Sequence, residues 1–309
     1  MSGRFHRLAA LCAAVLGFGA VLTSTASASP SGVVDHPIPT TGCGRFTPGA
    51  AGTTTVGHLT SGGVQREYRI YVPARYNPHR SYPLVLSFHG HKRTAEWQEK
   101  LSGFSGGDMI AVYPQGLTGT DGEAAWTGAP YSATVDDVQF TSDLLTSLQQ
   151  TLCVDPSRIY ATGKSNGGGF TGVLACRMAS RIAAFAPVSG AFYPQGGPCN
   201  PSRRVAMVDF HGTADPTIPY NGNPEKGLPS IPDWMTGWVD RDQCRFGPIS
   251  ISPIRGVVKQ WWPGCSLARY RIEGAGHVWP STQPNLDSQT PTLINATPII
   301  RNFLLSHRL

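Results

Sequence analysis

The stretch "ATGKSNGGG", Ala161 to Gly169, carries residues that two different chemistries use. Gly-Lys-Ser closes a phosphate-binding P-loop. Gly163-Lys164-Ser165-Asn166-Gly167 also reads Gly-x-Ser-x-Gly, the turn that presents a serine nucleophile between a strand and a helix. A P-loop needs a further glycine five positions before Gly163, because the phosphate rests on a nest of backbone N–H groups. Arg158 stands there, inside the strand-like run "RIYAT". The phosphate reading therefore falls, and Ser165 becomes the candidate nucleophile.

A serine hydroxyl is a weak nucleophile near neutral pH. It needs an imidazole base, and the base needs a carboxylate to orient it. With this turn the expected chain order is Ser, acid, His. Downstream of Ser165 stand His211, His277 and His307. His307 falls at the end of the last predicted helix, and His211 precedes the acid candidate. His277, in "EGAGHVWP", follows a strand in a glycine-rich loop and is the expected base. Asp215, in "DFHGTADPTIPY", lies just past the C-terminal end of a strand, where catalytic groups collect in open parallel sheets. Asp240 and Asp242 fall in a predicted helix and are weaker acids for this role.

The tetrahedral oxyanion needs two backbone donors. Asn166 N–H follows the nucleophile, and His91 N–H, in "FHGHK", follows an earlier strand. His89 and His91 also form a His-x-His pair, but no third ligand accompanies them. No Cys-x-x-Cys pair exists either, so no metal and no other cofactor is expected. Activity is expected to fall in acid as His277 protonates, with a midpoint near about pH 6–7.

The surrounding pattern is one that can position such a set. "EYRIYVP" alternates in polarity and reads as an edge strand. "PLVLSFHG" and "DMIAVYPQG" are short apolar runs that suit buried parallel strands. "DDVQFTSDLLTSLQQTL" places Val138, Leu144, Leu145, Leu148 and Leu152 at helical spacing, with Asp136 and Asp137 at its positive end. Then follow strand "RIYATG", a helix from about Asn166 to Ser180, strands "AAFAPVSG" and "RVAMVDFHG", a helix in "LPSIPDWMTGWVDRDQC" and strand "ARYRIEGAGH". Thr297 is expected to cap a final helix with Pro298 at its first position. Strand–helix alternation of this kind means an α/β fold, a mostly parallel sheet with helices on both faces.

The 309 residues allow one large domain. Arg4 and Arg7, the apolar run Leu8 to Leu22 and the "ASA" of Ala26, Ser27 and Ala28 predict a signal peptide over 1–28. An N-terminal arm is expected over 29–52 and a single catalytic domain over 53–309. Outside the leader stand six cysteines, Cys43, Cys153, Cys176, Cys199, Cys244 and Cys265, which in an exported chain predict up to three disulfides. The net charge of +6 falls by two when Arg4 and Arg7 leave with the leader. The basic residues are scattered, so neither nucleic acid nor a membrane is an expected partner. Asn295-Ala296-Thr297 fits an N-glycosylation acceptor if the source is eukaryotic.

"ATGKSNGGGFTGVLAC", "APVSGAFY", "FHGTADPTIPYNG", "IEGAGHVWP" and the upstream "VLSFHG" resemble secreted feruloyl esterases. The related group includes polyhydroxybutyrate-depolymerase-like esterases and acetyl xylan esterases. The similarity runs from about Cys43 to the C-terminus. It implies an α/β-hydrolase fold, the triad Ser165, Asp215 and His277, and a "VDDVQF" segment near the mouth of the site. It also implies that Cys244 pairs with Cys265, leaving the other four cysteines unassigned. The activity implied is hydrolysis of feruloyl esters on plant cell-wall polysaccharide such as arabinoxylan, by an extracellular monomer. Acetylated xylan and polyhydroxybutyrate are the rival substrates, and a catalytically silent wall-binding protein is the rival class. For a flat phenolic acyl group, Trp126, Tyr131, Tyr193 and Trp279 are the aromatic candidates. His91 departs from the depolymerases, which tend to carry another residue after His-Gly.

Overall fold

A computed structural model describes residues 1, 33–45 and 51–309 of the chain. The predicted signal peptide lies outside the described residues, apart from Met1. The described residues from Val33 onward fall in one compact unit.

The elements run β1 (Thr54–Ser61), β2 (Val64–Tyr71), β3 (Tyr82–Phe88), α1 (Ala95–Ser102), β4 (Ile110–Pro114), the short β5 (Leu117–Thr118) and β6 (Ala124–Ala125), and α2 (Asp137–Thr151). They continue with β7 (Val154–Lys164), α3 (Asn166–Arg177), β8 (Ala184–Val188), β9 (Ala206–Gly212) and α4 (Ile231–Arg241). Last come β10 (Ile249–Ile254), β11 (Val257–Trp261), β12 (Leu267–Ile272) and α5 (Ala296–Leu305). Ten strands form one sheet in the order β1-β2-β4-β3-β7-β8-β9-β12-β11-β10. The stretch from β4 to β12 is parallel throughout. Antiparallel pairs extend it at both sides.

The parallel strands are buried because helices cover both faces. β3 is buried at every residue. Its Leu84, Leu86 and Phe88 face one apolar cluster with Leu144, Leu145 and Leu148 of α2 and Phe170 of α3. Its Val85 faces the other, with Ala95 and Leu101 of α1 and Ile300 and Leu304 of α5. This period of two splits the core into two layers. Truncating one such residue, for example Leu84→Ala, would cost about 2–5 kcal/mol.

Local signals place the helix starts. Asp136 caps α2 by accepting from Gln139 N, and Thr94 caps α1 by accepting from Trp97 N. The final helix begins two residues earlier than expected, with Asn295 at the cap position. Thr297 instead sits in the first turn, where its hydroxyl donates to Ser102 O and accepts from Trp279 Nε1. A second correction concerns "EYRIYVP". It belongs to β2, which lies between β1 and β4, so the edge falls to β1. The hairpin of β10 and β11 was not expected; every residue of β10 is exposed, so no buried apolar face marks it.

The arm residues 33–45 lie along α2. Val34 N donates to Ser142 Oγ, and Thr41 N and Gly42 N both donate to Gln149 O. Three disulfides are present: Cys43–Cys153, Cys176–Cys199 and Cys244–Cys265. The first closes a span of 110 residues. In the chain-entropy account a loop of that order stabilises by about 4–5 kcal/mol.

Candidate active site

β7 ends at Lys164 and α3 begins at Asn166, so Ser165 alone makes the turn between them. Its backbone sits at φ 57°, ψ −118°, a region that L-residues rarely adopt. Three backbone bonds hold it there. Ser165 N donates to Val188 O, and Ser165 O accepts from Gly169 N and Ala191 N. The glycines are required by approach. A Cβ on Gly167 would stand 2.3 Å from Phe88 O, and one on Gly163 would stand 2.4 Å from Gly167 O. The start of α3 thus presses against the end of β3, which no side chain permits. Ser165 stays partly exposed while Lys164 and Asn166 are buried.

Gly90 flanks Ser165, the candidate nucleophile. A Cβ there would lie 3.9 Å from Ser165 Oγ. His91 follows Gly90 directly, and among the described residues its N–H has no backbone acceptor. Asn166 N–H is a first-turn donor of α3, without an intrahelical acceptor. The two donors expected for an oxyanion therefore flank the serine, at the positive end of α3. His89 supports this turn. Its Nδ1 bonds Gly90 O at 2.8 Å, and its Nε2 accepts from Gly116 N at 2.9 Å. Burial lowers its pKa to about 4, so the ring is neutral. That employment separates it from His91, whose Nε2 lies 2.8 Å from Asp121 Oδ2. Among the described residues no cluster of three His, Cys, Asp or Glu could hold a metal.

Asp215 and His277, 62 residues apart, meet with Asp215 Oδ2 at 2.7 Å from His277 Nδ1. The other carboxylate oxygen accepts from Thr217 N and Ile218 N. His211 Nε2 approaches the same Oδ2 at 3.3 Å and Ile218 O at 2.9 Å. Burial opposes charge on Asp215, but the bonds from His211 and His277 outweigh it and hold the carboxyl well below its usual range. His277 moves the other way. Its burial disfavours the imidazolium more than the bond to Asp215 favours it, and the Lys164 charge adds to the lowering. Its midpoint is thus expected below the ordinary imidazole value rather than across the range the sequence suggested.

The loop carrying His277 has no regular structure, and side chains fix its backbone. Lys164 Nζ donates to His277 O at 3.0 Å. Ser189 Oγ donates to Val278 O at 3.0 Å, and Trp279 N donates to Asp287 Oδ2 at 2.8 Å. Asn285 Nδ2 donates to Trp279 O at 2.8 Å. The Lys164 contact brings this loop against the serine turn.

The four aromatic candidates divide. Trp126 is fully buried, stacked on Phe170 and donating Nε1–H to His89 O. Trp279 is 2 % exposed and bonded to Thr297. Neither offers a face to a ligand arriving from solvent, which corrects both. Trp126 instead anchors the site, because Asn166 Oδ1 accepts from its N–H and Asn166 Nδ2 donates to its C=O. Asn166 thus contributes its side chain as well as its N–H. Tyr131 and Tyr193 stay partly exposed. Tyr131 stacks on the His91 ring at 4.1 Å and meets Tyr193 edge-on at 6.0 Å. The "VDDVQF" segment connects here through Asp137, which accepts from Thr127 N and pairs with buried Arg66 at 2.7 Å.

Sequence reasoning missed His89, His211 and Lys164 as parts of the site. His211 and Lys164 stand beside residues it did single out. The signal available for Lys164 was its place before the nucleophile, but a lysine in a turn is ordinarily a solvated one.

The fold is the α/β-hydrolase fold. It is shared with an acetyl xylan esterase from Aspergillus awamori at a TM-score of 0.58, with 16% identity, covering 72% of this chain and 94% of that one. No family model matches the chain. In sequence it is similar to feruloyl esterase B of Piromyces equi, 28% identical over 69% of this chain and 42% of the relative. It is also 28% identical to a bifunctional acetylxylan esterase/xylanase of Neocallimastix patriciarum, over 70% of this chain and 31% of the relative. The chain thus spans less than half the length of these two relatives. The resemblance drawn from the motifs, to feruloyl and acetyl xylan esterases, is the one these similarities bear out.

Proposed function

We propose that this protein is an exported serine esterase that hydrolyses feruloyl (hydroxycinnamoyl) esters on plant cell-wall polysaccharide. The observation that carries the reading is the Asp215–His277 contact at 2.7 Å, on a loop whose His277 O accepts from Lys164, the residue before a serine held at φ 57°. The similarity to feruloyl esterase B supports the substrate class, and the three disulfides support export.

In the proposed mechanism Ser165 Oγ attacks the ester carbonyl while His277 Nε2 takes the hydroxyl proton. Asp215 holds Nδ1–H and stabilises the imidazolium. The oxyanion accepts from Asn166 N–H and His91 N–H, each donor lowering the barrier by about 3–4 kcal/mol. His277 then returns the proton to the departing sugar alkoxide. Water, deprotonated by His277, attacks the acyl-enzyme and frees Ser165. The phenolic ring would lie against Tyr131 and Tyr193, the partly exposed pair of the aromatic candidates.

Turnover of methyl ferulate by Ser165→Ala and His277→Ala, with the fold followed by circular dichroism, tests the machinery; retained turnover by either would refute its role. Acetylated xylan is the second reading, favoured by the acetylxylan esterase/xylanase relative. Parallel rates on methyl ferulate, acetylated xylan and polyhydroxybutyrate decide the acyl group. Faster turnover of acetylated xylan than of methyl ferulate would overturn the feruloyl assignment.

A further inference from the structure

The residue before Ser165 is a lysine almost shut off from water. Lys164 is 7 % exposed, and its ammonium lies 3.1 Å from the carboxylate of Asp287, itself nearly inaccessible. A surface turn needs no such arrangement, and burying an ion pair is costly unless its remaining hydrogen bonds are met. Here they are met by the histidine loop. Lys164 Nζ donates to His277 O, and Asp287 Oδ2 accepts from Trp279 N. The pair therefore grips the loop on both sides of Val278, while the backbone of Lys164 runs directly into Ser165.

We infer that Lys164, with Asp287, is a positioning residue that couples the nucleophile turn to the base-bearing loop, fixing the His277 imidazole over Ser165. This rests on the reading of His277 as the base. Any displacement of the loop relative to the turn must stretch the Lys164–His277 contact or unpair a buried charge. The serine turn is rigid, because strand, helix and glycine contacts define it. The loop has no strand or helix of its own, so its register depends on these side chains.

The charge has a second effect. The ionisable groups facing His277 are Asp215 and His211 from β9 and the loop after it, and Lys164 from the end of β7. Asp287 and Arg93 act on Lys164 in turn. Lys164 opposes the imidazolium, so a neutral residue in its place favours protonation of His277. The charge alone would move that titration without lowering kcat on the pH plateau, so a fall in plateau kcat is the readout of positioning.

The experiment compares Lys164→Met, Lys164→Arg and the double variant Lys164→Met with Asp287→Asn. The double variant replaces the ion pair by neutral groups of similar length, so no buried charge is left alone if the single variant misfolds. The readout is the pH profile of kcat and KM on methyl ferulate, with folding checked by circular dichroism and thermal melting. In both neutral variants kcat should fall about 10- to 100-fold, the scale of a small misplacement of a catalytic group. KM should change far less, and the acid limb should move to higher pH. Lys164→Arg, which keeps the charge and a donor, should keep the wild-type limb. Folded neutral variants with wild-type kcat on the pH plateau would overturn the inference, whether or not the acid limb moves. His277→Ala, run alongside, separates the two levels. If it retains turnover, the base assignment itself fails; if it is inactive while the Lys164 variants match wild type, only the coupling fails.

Discussion

The serine turn and the histidine loop are held in place by opposite means. Ser165 is positioned by main chain: β7 enters, α3 leaves, and the gap between them is too narrow for a Cβ at Gly163 or Gly167. His277 is positioned by side chains from elsewhere: Lys164, Ser189, Asp287 and Asn285 take hold of three consecutive residues of its loop. The first device is rigid by covalent geometry. The second is a set of separable hydrogen bonds, each worth about 0.5–1.5 kcal/mol net. A nucleophile gains from strain and fixed direction. A base must exchange protons with two partners in turn, and a loop allows the small reorientation that requires.

Substitutions can break this comparison at different depths. The largest effect is expected at the carboxylate that holds the imidazole, Asp215→Asn. Turnover of methyl ferulate should fall by about 10⁴-fold, since the amide favours the wrong imidazole tautomer. An effect under tenfold would remove Asp215 from the triad. Next are the glycines. Gly167→Ala places a methyl group 2.3 Å from a backbone oxygen of β3. It should destabilise by about 3 kcal/mol or more in denaturant unfolding. Gly276→Ala, in the histidine loop, meets no atom within 4 Å. It should leave stability within about 0.5 kcal/mol. Equal losses at the two positions would erase the distinction between a packed turn and an open loop. Ser189→Ala releases only Val278 O and should reduce kcat several-fold, on the scale of one hydrogen bond of about 1 kcal/mol.

The smallest effect concerns pH. With neutral His277 as the proposed base, activity should be lost as pH falls through its pKa. Because burial and Lys164 lower that pKa, the acid limb of kcat/KM should have its midpoint below about pH 6.5. A midpoint above 7 would mean that Asp215 dominates the environment of the ring. His89 has a related consequence for stability. Its pKa is lowered to about 4 in the folded protein. The stability this provides is present above about pH 6.5 and is lost as pH falls toward 4.

Much of this molecule was legible as a string. The apolar runs of β3, β4, β8 and β9 declare buried parallel strands, because a strand covered on both faces has nowhere to place polar groups. Gly163, Ser165 and Gly167 declare the turn, because their spacing follows from local backbone geometry. Asp215 and His277 were reachable by their order in the chain and by their places after strands. Local rules could not separate Tyr131 from Trp126, since both are loop aromatics of similar type. Only packing shows that Trp126 is enclosed by Phe88, Phe140 and Phe170.

The sequence by itself determined the layered α/β architecture, the serine turn and the identities of the acid and base candidates, because periodicity and tight-turn sterics act within a few residues. Only the tertiary structure decided that Lys164 is buried, that His211 shares the carboxylate of Asp215, and that His89 is a neutral support of the turn after β3. Each of those depends on desolvation and on a partner beyond the nearest neighbours in the chain: Asp215 lies four after His211, Gly116 lies 27 after His89 and Asp287 lies 123 after Lys164. Burial sets the charge of such groups, and no pattern of neighbours in the chain encodes burial for a single polar residue.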